Sequence, residues 1–392
     1  MTANPLRLSD RIVLAAIGLL SYFVLSGTLA PMGLLLEPLS SQFEISTSEA
    51  ARVLSGFTSG NLLGAFLALF ILGRVRYRAL VLCIYVSAAC TLVMLLVADE
   101  TRWIWTLLAL LGVAFGIGLA TAAQLIALIY KEDQRAALLV ATDSSFSLAG
   151  TVMASLTAYL LLSPIPNLPP WLNAYLAIFL AVLLILMLAF VARYPEVARS
   201  DKNWGWIQRM PRPVWASGGA LYCYTLGQTS ILLWLPSMLQ AGSSDVAIGG
   251  EAVGRYWFGM FLGQLAAMTL VLVLGRGWVL RFGAVGASVG ALAVLLAVSD
   301  DQWMIWASLG WGLCNLGVLK MLISLATDCV DNLPDQLVPG LLLMATLGTA
   351  SSPILTSWLV EGFDPFAAVI FGVTAMFGML ALTLFADRIR LN

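Results

Sequence analysis

Residues Tyr194–Arg212 read YPEVARSDKNWGWIQRMPR, and this stretch decides how the chain divides. It holds Glu196, Arg199, Asp201, Lys202 and Arg209, the longest charged interval in the sequence, and apolar runs flank it on both sides. A helix needs about 20 residues to cross about 30 Å of hydrocarbon. Runs of that length precede the interval at 12–36, 50–72, 79–98, 103–130, 137–162 and 170–193, and follow it at 213–239, 252–275, 279–298, 302–328, 338–360 and 365–386. The breaks between runs are short and polar, such as Gly73-Arg74-Val75-Arg76-Tyr77-Arg78 and Asp99-Glu100-Thr101-Arg102. The expectation is an all-α polytopic membrane protein with twelve transmembrane helices. They form a first six-helix bundle at 1–200, the end of a cytoplasmic linker at 201–212, and a second bundle at 213–392.

Composition supports lipid as the main solvent. Of 392 residues, 60% are hydrophobic and 10% are charged, where a soluble domain carries roughly 25% charged residues. Mean hydropathy is +0.94. A net charge of −1 gives no field to attract nucleic acid. With no histidine in the chain, Ser-His-Asp triads, HExxH zinc sites and histidine proton relays are excluded. The cysteines Cys83, Cys90, Cys223, Cys314 and Cys329 form no CxxC pair and read as packed free thiols. No P-loop is present, and no catalytic residue, metal site or cofactor is expected. The run 12–36 is too long for a signal-peptide core and lacks a cleavage site, so it counts as a span.

Charge placement tests the count. With the N-terminus in the cytoplasm, that side receives Arg7, Arg11, Arg74, Arg76, Arg78, Lys131, Arg135, Arg193, Arg199, Lys202, Arg209, Arg212, Arg276, Arg281, Arg388 and Arg390, which is 16 of the 20 basic residues. Arg52, Arg102 and Arg255 fall outside, and Lys320 falls within a span. A wrong number of spans would scramble this split. Both termini are therefore expected in the cytoplasm of a bacterial-type inner membrane.

The halves echo each other. Gly60-Asn61-Leu62-Leu63-Gly64 and a closing Gly73-Arg74 in span 2 match Gly259-Met260-Phe261-Leu262-Gly263 and Gly275-Arg276 in span 8. Gly150-Thr151 and Leu156-Thr157 in span 5 match Gly348-Thr349 and Leu355-Thr356 in span 11, and Tyr22 and Gly27 match Tyr222 and Gly227. Parallel six-helix repeats with a site between the halves are one known way to build a transporter. The glycines themselves read as tight helix packing.

A charge inside a span costs about 2.5–3.5 kcal/mol on insertion scales. Asp143 in span 5 and Lys320 in span 10 both lie about 10–12 Å deep from the cytoplasmic ends, at 1.5 Å per residue. Three readings stand: a gate pair, a proton-coupling Asp143 tuned by Lys320, or a static pair. Asp328, eight residues after Lys320, reads as interfacial and able to receive Lys320 as it moves. Lys320 is equally a candidate for an anionic substrate. Gln124, Gln228, Gln264 and Asn315 need partners at membrane depth and are candidates to line a path or to tie helices. Tyr22, Tyr222, Tyr224, Trp234 and Trp311 are candidates for an aromatic wall or for packing. Trp103, Trp105, Trp171 and Trp303 are expected in the interface belt. Pro31, Pro236 and Pro353 are expected to bend helices.

Two motifs carry a resemblance. Leu221–Pro236, LYCYTLGQTSILLWLP, and Thr142–Gly150, TDSSFSLAG, resemble spans 7 and 5 of the TsgA-like branch of the major facilitator superfamily, with Pro334 and Gly348-Thr349 in agreement. Gly227-Gln228-Thr229 is similar to a pattern of the related fucose:proton symporters. The resemblance covers nearly the whole chain. It implies a major facilitator fold, alternating access and secondary transport, with proton coupling and a sugar substrate as the expectation. Gly27 and Ala120 stand where the symporters carry acidic residues, so their coupling residues do not carry over. Asp143 matches the branch pattern, while Lys320 replaces a neutral residue. Loop 73–78 lacks the Asp of the family's usual signature.

The functional expectation is a secondary transporter of a small polar organic solute, working as a monomer in the lipid bilayer, with protons as the candidate coupling ion. Its candidate substrate residues are Tyr22, Gln124, Tyr224, Gln228, Trp234, Trp311, Asn315 and Lys320, and its candidate gate or coupling residues are Asp143, Lys320 and Asp328. Efflux of amphiphilic or charged compounds, or a membrane protein that keeps the fold without transport, are the alternatives. An enzyme is not expected.

Overall fold

The computed structural model describes residues 7–130, 132–195, 210–242, 246–330 and 337–391. Most of the expected linker, and with it Arg199, Lys202 and Arg209, lies outside the described residues, as do Lys131 and Pro334. All regular structure among the described residues is helical: α1 (Leu8–Leu29), α2 (Leu36–Phe43), α3 (Thr47–Ile71), α4 (Tyr77–Leu95), α5 (Thr101–Ile129), α6 (Glu132–Leu162), α7 (Asn173–Val191), α8 (Arg212–Ala241), α9 (Val246–Leu274), α10 (Arg276–Leu296), α11 (Asp301–Cys314), α12 (Val318–Asp328), α13 (Leu337–Gly362) and α14 (Pro365–Leu391).

Eleven helical stretches among the described residues are long and apolar enough to cross a membrane, α11 and α12 counting together. The seventh expected span, α8, has the length at 30 residues, and 21 of these are buried. It is enclosed by other helices rather than lipid. Its composition can therefore include Ser217, Thr225, Gln228 and Ser230, all of them buried. The outer surfaces read the opposite way. Phe190 and Val191 on α7, Leu272 and Val273 on α9, Val289 on α10 and Phe385 on α14 stand exposed. So much apolar surface suits lipid and would make a water-soluble chain aggregate.

Contacts divide the chain into two units. The first comprises Met1–Pro31, Ser41–Glu44 and Val53–Asp201, and the second comprises Met32–Ser40, Ile45–Arg52 and Lys202–Asn392. Within the first, α1 packs on α5, α6 and α7, and α4 packs on α5 and α7. Within the second, α8 packs on α9, α12, α13 and α14, and α10 packs on α11 and α14. The pairings repeat six spans on: α1–α6 with α8–α13, α1–α7 with α8–α14, α4–α5 with α10–α11, and α4–α7 with α10–α14. The faint sequence echo thus has a structural counterpart inside each unit.

The structure differs from the expected spans in two places. The run 12–36 is not one helix. α1 ends at Leu29, and beyond Pro31, which has no N–H to donate, a 3-10 turn (Met32–Leu35) leads into α2. Gly33 of that turn packs on the backbone carbonyls of Leu232 and Leu233 in α8. A Cβ at residue 33 would lie 2.5 and 2.6 Å from those oxygens, so the approach needs glycine; Pro236, inside α8, has no N–H to offer the Leu232 carbonyl four residues back. Arg52 of α3 forms an ion pair of 2.5 Å with Glu361 of α13 in the same unit. The second difference is span 10, broken between α11 and α12 by Leu316 (φ 41°) and Gly317 (φ 66°).

Among the interface tryptophans, Trp103, Trp105 and Trp303 are exposed as expected, but Trp171 is buried. Its indole N–H donates to Gln42 Oε1 at 2.8 Å, and its ring meets Tyr175 edge-on. All five cysteines are free.

Candidate functional site

The second unit gathers four of the expected residues, Tyr224, Gln228, Trp311 and Asn315, around one that the sequence reading did not single out. α9 and α11 cross closely because glycines notch both. A Cβ on Gly312 would overlap the Tyr256 carbonyl, and one on Gly259 or Gly263 would overlap the carbonyls of Leu309 or Leu313. This approach brings Tyr256 of α9 against the end of α11. Asn315 Nδ2 donates to the Tyr256 hydroxyl at 2.8 Å. From α8, Gln228 Nε2 donates to the same oxygen at 2.7 Å. Tyr224 hydrogen-bonds the phenol as well, and Met260 Sδ lies 3.8 Å away. The Trp311 ring tilts over Tyr256 with centroids 4.1 Å apart.

The cluster is dry. Tyr256 and Trp311 are 0% exposed, Asn315 1% and Gln228 8%. Two of its polar atoms have no hydrogen-bond partner: Trp311 Nε1, a donor, and Asn315 Oδ1, an acceptor. Residues 311 and 315 are four apart at the end of α11, so they share a helix face. An unpaired buried polar atom costs about 1–3 kcal/mol. A group that both donates and accepts would relieve both atoms at once. Among the described residues no group of three or more Cys, Asp or Glu side chains is placed to hold a metal.

Other expected residues lie elsewhere. Trp234 is buried in α8, and its N–H donates to Thr356 Oγ1 of α13 at 2.7 Å, which makes it a strut between those helices. Ser230 and Ser352, 2.9 Å apart, join the same two helices. Tyr222 accepts from Ser351 at 3.2 Å. In the first unit, Tyr22 is buried in α1 and Gln124 is half-buried in α5. Asp143 in α6 and Lys320 in α12 are both half-buried. Asp328 is exposed and forms an ion pair with Arg276 at 3.0 Å. Sequence reading placed Arg281 on the cytoplasmic side but did not pair it with Asp387; the two meet at 2.6 Å between α10 and α14, with Asp387 buried. Tyr256 had one available signal. It lies three residues before Gly259, on the face that the glycines press against α11.

Two like helical units, a surface fit for lipid and a buried polar cluster inside one unit are the features of a polytopic membrane protein. The chain belongs to the Major Facilitator Superfamily, whose family model matches residues 14–339. It is 24% identical over 383 residues to the protein TsgA homolog of Erwinia tasmaniensis, covering 96% of this chain and 95% of that one. It is also 24% identical over 370 residues to protein TsgA of Escherichia coli O9:H4, covering 92% and 91%. Among solved structures, the proton:xylose symporter XylE superposes with a TM-score of 0.74 at 13% identity, covering 97% of this chain and 96% of that one. The transporter FucP in its outward conformation superposes with a TM-score of 0.65 at 17% identity, covering 96% and 99%. The protein is a multi-pass membrane transporter by family and is not an enzyme.

Proposed function

We propose that this chain is a secondary transporter of a small, neutral, hydroxylated solute, a sugar being the leading candidate, and that the cluster of Tyr224, Gln228, Tyr256, Trp311 and Asn315 binds it. The observation that carries this reading is the unpaired donor and acceptor on Trp311 and Asn315 beside an aromatic face. A hydroxyl group donates and accepts at one atom, so it fits this pair, and the ring of a sugar has an apolar face to lay on indole. The similarity to XylE, described as a xylose symporter, favours the same class of solute.

In the proposed cycle two lobes, 1–200 and 213–392 with the linker end 201–212 between them, alternate access to this cluster. The proposed setting is an inner membrane with both termini in the cytoplasm and a monomer as the working unit. Asp143 and Lys320 are the proposed gate or proton-coupling charges, and Asp328 stands near the end of the same helix as Lys320. Tyr22 and Gln124 are the proposed contributions of the first half to the path.

A ligand-stabilisation screen of the purified protein in detergent tests the reading. Sugars, organic acids and cationic amphiphiles are compared by melting temperature. A solute held only by the folded state adds about 2.7 kcal/mol at 100 times its Kd. Neutral sugars are expected to raise the melting temperature and the charged compounds are not. Stabilisation by cationic amphiphiles alone would point to efflux instead. Repeating the screen across pH with Asp143→Asn reads proton linkage. If Asp143 is the coupling acid, the pH dependence of sugar binding flattens in the variant.

A further inference from the structure

The crossing of α9 and α11 has a twin in the first unit. Gly112 of α5 meets the Phe57 carbonyl and the Asn61 amide of α3 as Gly312 meets the Tyr256 carbonyl and the Met260 amide. Gly60 and Gly64 meet the carbonyls of Ala109 and Val113 as Gly259 and Gly263 meet those of Leu309 and Leu313. This match sets the register between the halves. Tyr256 stands where Phe57 stands, and Asn315 where Phe115 stands. In the first unit the two positions hold rings in an edge contact, with centroids 6.0 Å apart. In the second they hold a phenol and an amide joined by a hydrogen bond of 2.8 Å. The same backbone crossing is therefore built with phenylalanine in one half, so the crossing itself does not require the phenol oxygen.

We propose that Tyr256 is the positioning residue for solute selectivity: its oxygen accepts from the amide nitrogens of both Gln228 and Asn315 and so turns both side-chain carbonyls toward the solute. A phenol oxygen has two acceptor sites and one proton. Here both acceptor sites are taken by amide N–H groups, from Gln228 and Asn315. A side-chain amide has a donor end and an acceptor end of nearly the same shape, and only its partner decides which way it faces. With the nitrogens tied to Tyr256, the carbonyls point away from it, which agrees with the unpartnered Asn315 Oδ1. The site then presents acceptors, and it selects a solute by the hydroxyl protons the solute offers. A deoxy analogue leaves those acceptors buried and empty, the situation in which hydrogen-bonding sites discriminate most strongly. This inference rests on the solute site proposed above.

The variant Tyr256→Phe puts into the second unit the residue that the first unit uses. Purified full-length protein is titrated with D-xylose and D-glucose and with their single-position deoxy analogues. Wild-type protein is expected to prefer at least one parent sugar over its deoxy analogue by about 10-fold or more, and Tyr256→Phe is expected to bring that ratio close to one. A merely structural phenol would lower the melting temperature and leave the ratio intact, and that result overturns the proposal. A second measurement needs no ligand. The side-chain NH2 signals of protein labelled with ¹⁵N at Asn and Gln are assigned by their loss in Gln228→Leu and Asn315→Leu. Both signals should shift together in Tyr256→Phe, and signals that stay in place also overturn the proposal. If the wild type binds none of the sugars, the reading of the solute fails, while the NH2 signals still decide the role of Tyr256.

Discussion

Trp234 and Trp311 are both fully buried indoles of the second unit, and only their N–H groups tell them apart. Trp234 donates to Thr356, whereas Trp311 Nε1 has no partner. Replacing either by Phe removes a similar ring volume, so the packing loss is common to both. Trp234→Phe also loses a buried hydrogen bond, while Trp311→Phe removes a donor that was already unpaired. Unfolding measurements should therefore find Trp234→Phe less stable than Trp311→Phe by about 1–3 kcal/mol. Solute binding should weaken only in Trp311→Phe. Equal stability losses in the two variants would mean that the Trp311 N–H is paired in the free protein. Sequence spacing treats the two residues alike, because the partner of Trp234 lies 122 positions away. Gln228 and Asn315 were legible as amides at membrane depth. Tyr256 was not, since the aromatic run Tyr256-Trp257-Phe258 falls near the start of the expected span 252–275, where rings commonly anchor at an interface.

At the level of elements, span 10 shows what hydropathy leaves out. Cys314-Asn315-Leu316-Gly317-Val318 lies inside one long apolar run, yet the helix stops there and restarts. Composition reports the solvent around a segment but not its backbone angles. Broken helices at membrane depth are tolerated where protein surrounds them, and they commonly mark binding sites. Asn315 is the last residue before the left-handed pair Leu316 and Gly317. Gly317 has nothing within 4 Å of where a Cβ would sit, so Gly317→Ala meets no clash and feels only its φ of 66°. The left-handed conformation costs a residue with a Cβ about 1–2 kcal/mol, and Gly317→Ala should lose that much stability. Gly310, inside α11, is equally open, and there Ala should gain up to about 1 kcal/mol from helix propensity. The two melting temperatures should move in opposite directions, and a rise in both would mean that the break is not held in the folded state. Span 7, by contrast, is present as expected over Arg212–Ala241. Burial among other helices leaves it more polar than a lipid-facing span.

For the molecule as a whole, the all-helical fold and the likeness of its halves were legible because both follow from the length, number and order of apolar runs. The matched pairings inside the two units give physical content to the repeated GxxxG segments, whose glycines let carbonyl backbones touch. What the sequence could not display is how unequal the halves are. Phe57 and Phe115 close one crossing with apolar rings, and Tyr256 and Asn315 close its twin with a polar junction. Nor could it show that residues 32–40 and 45–52, which lie ahead of the second span and at its start, pack with the second unit. A repeated frame with one of its twin crossings made polar is the arrangement expected of a carrier that recognises its solute at that crossing.

Uptake into liposomes carrying the purified protein tests this most directly. With a sugar that stabilises the wild type, the account predicts saturable uptake that falls about 10-fold or more in Asn315→Ala, as expected when a buried hydrogen bond to the solute is removed. Uptake by Asn315→Ala at the wild-type rate and with the wild-type concentration dependence would contradict the account.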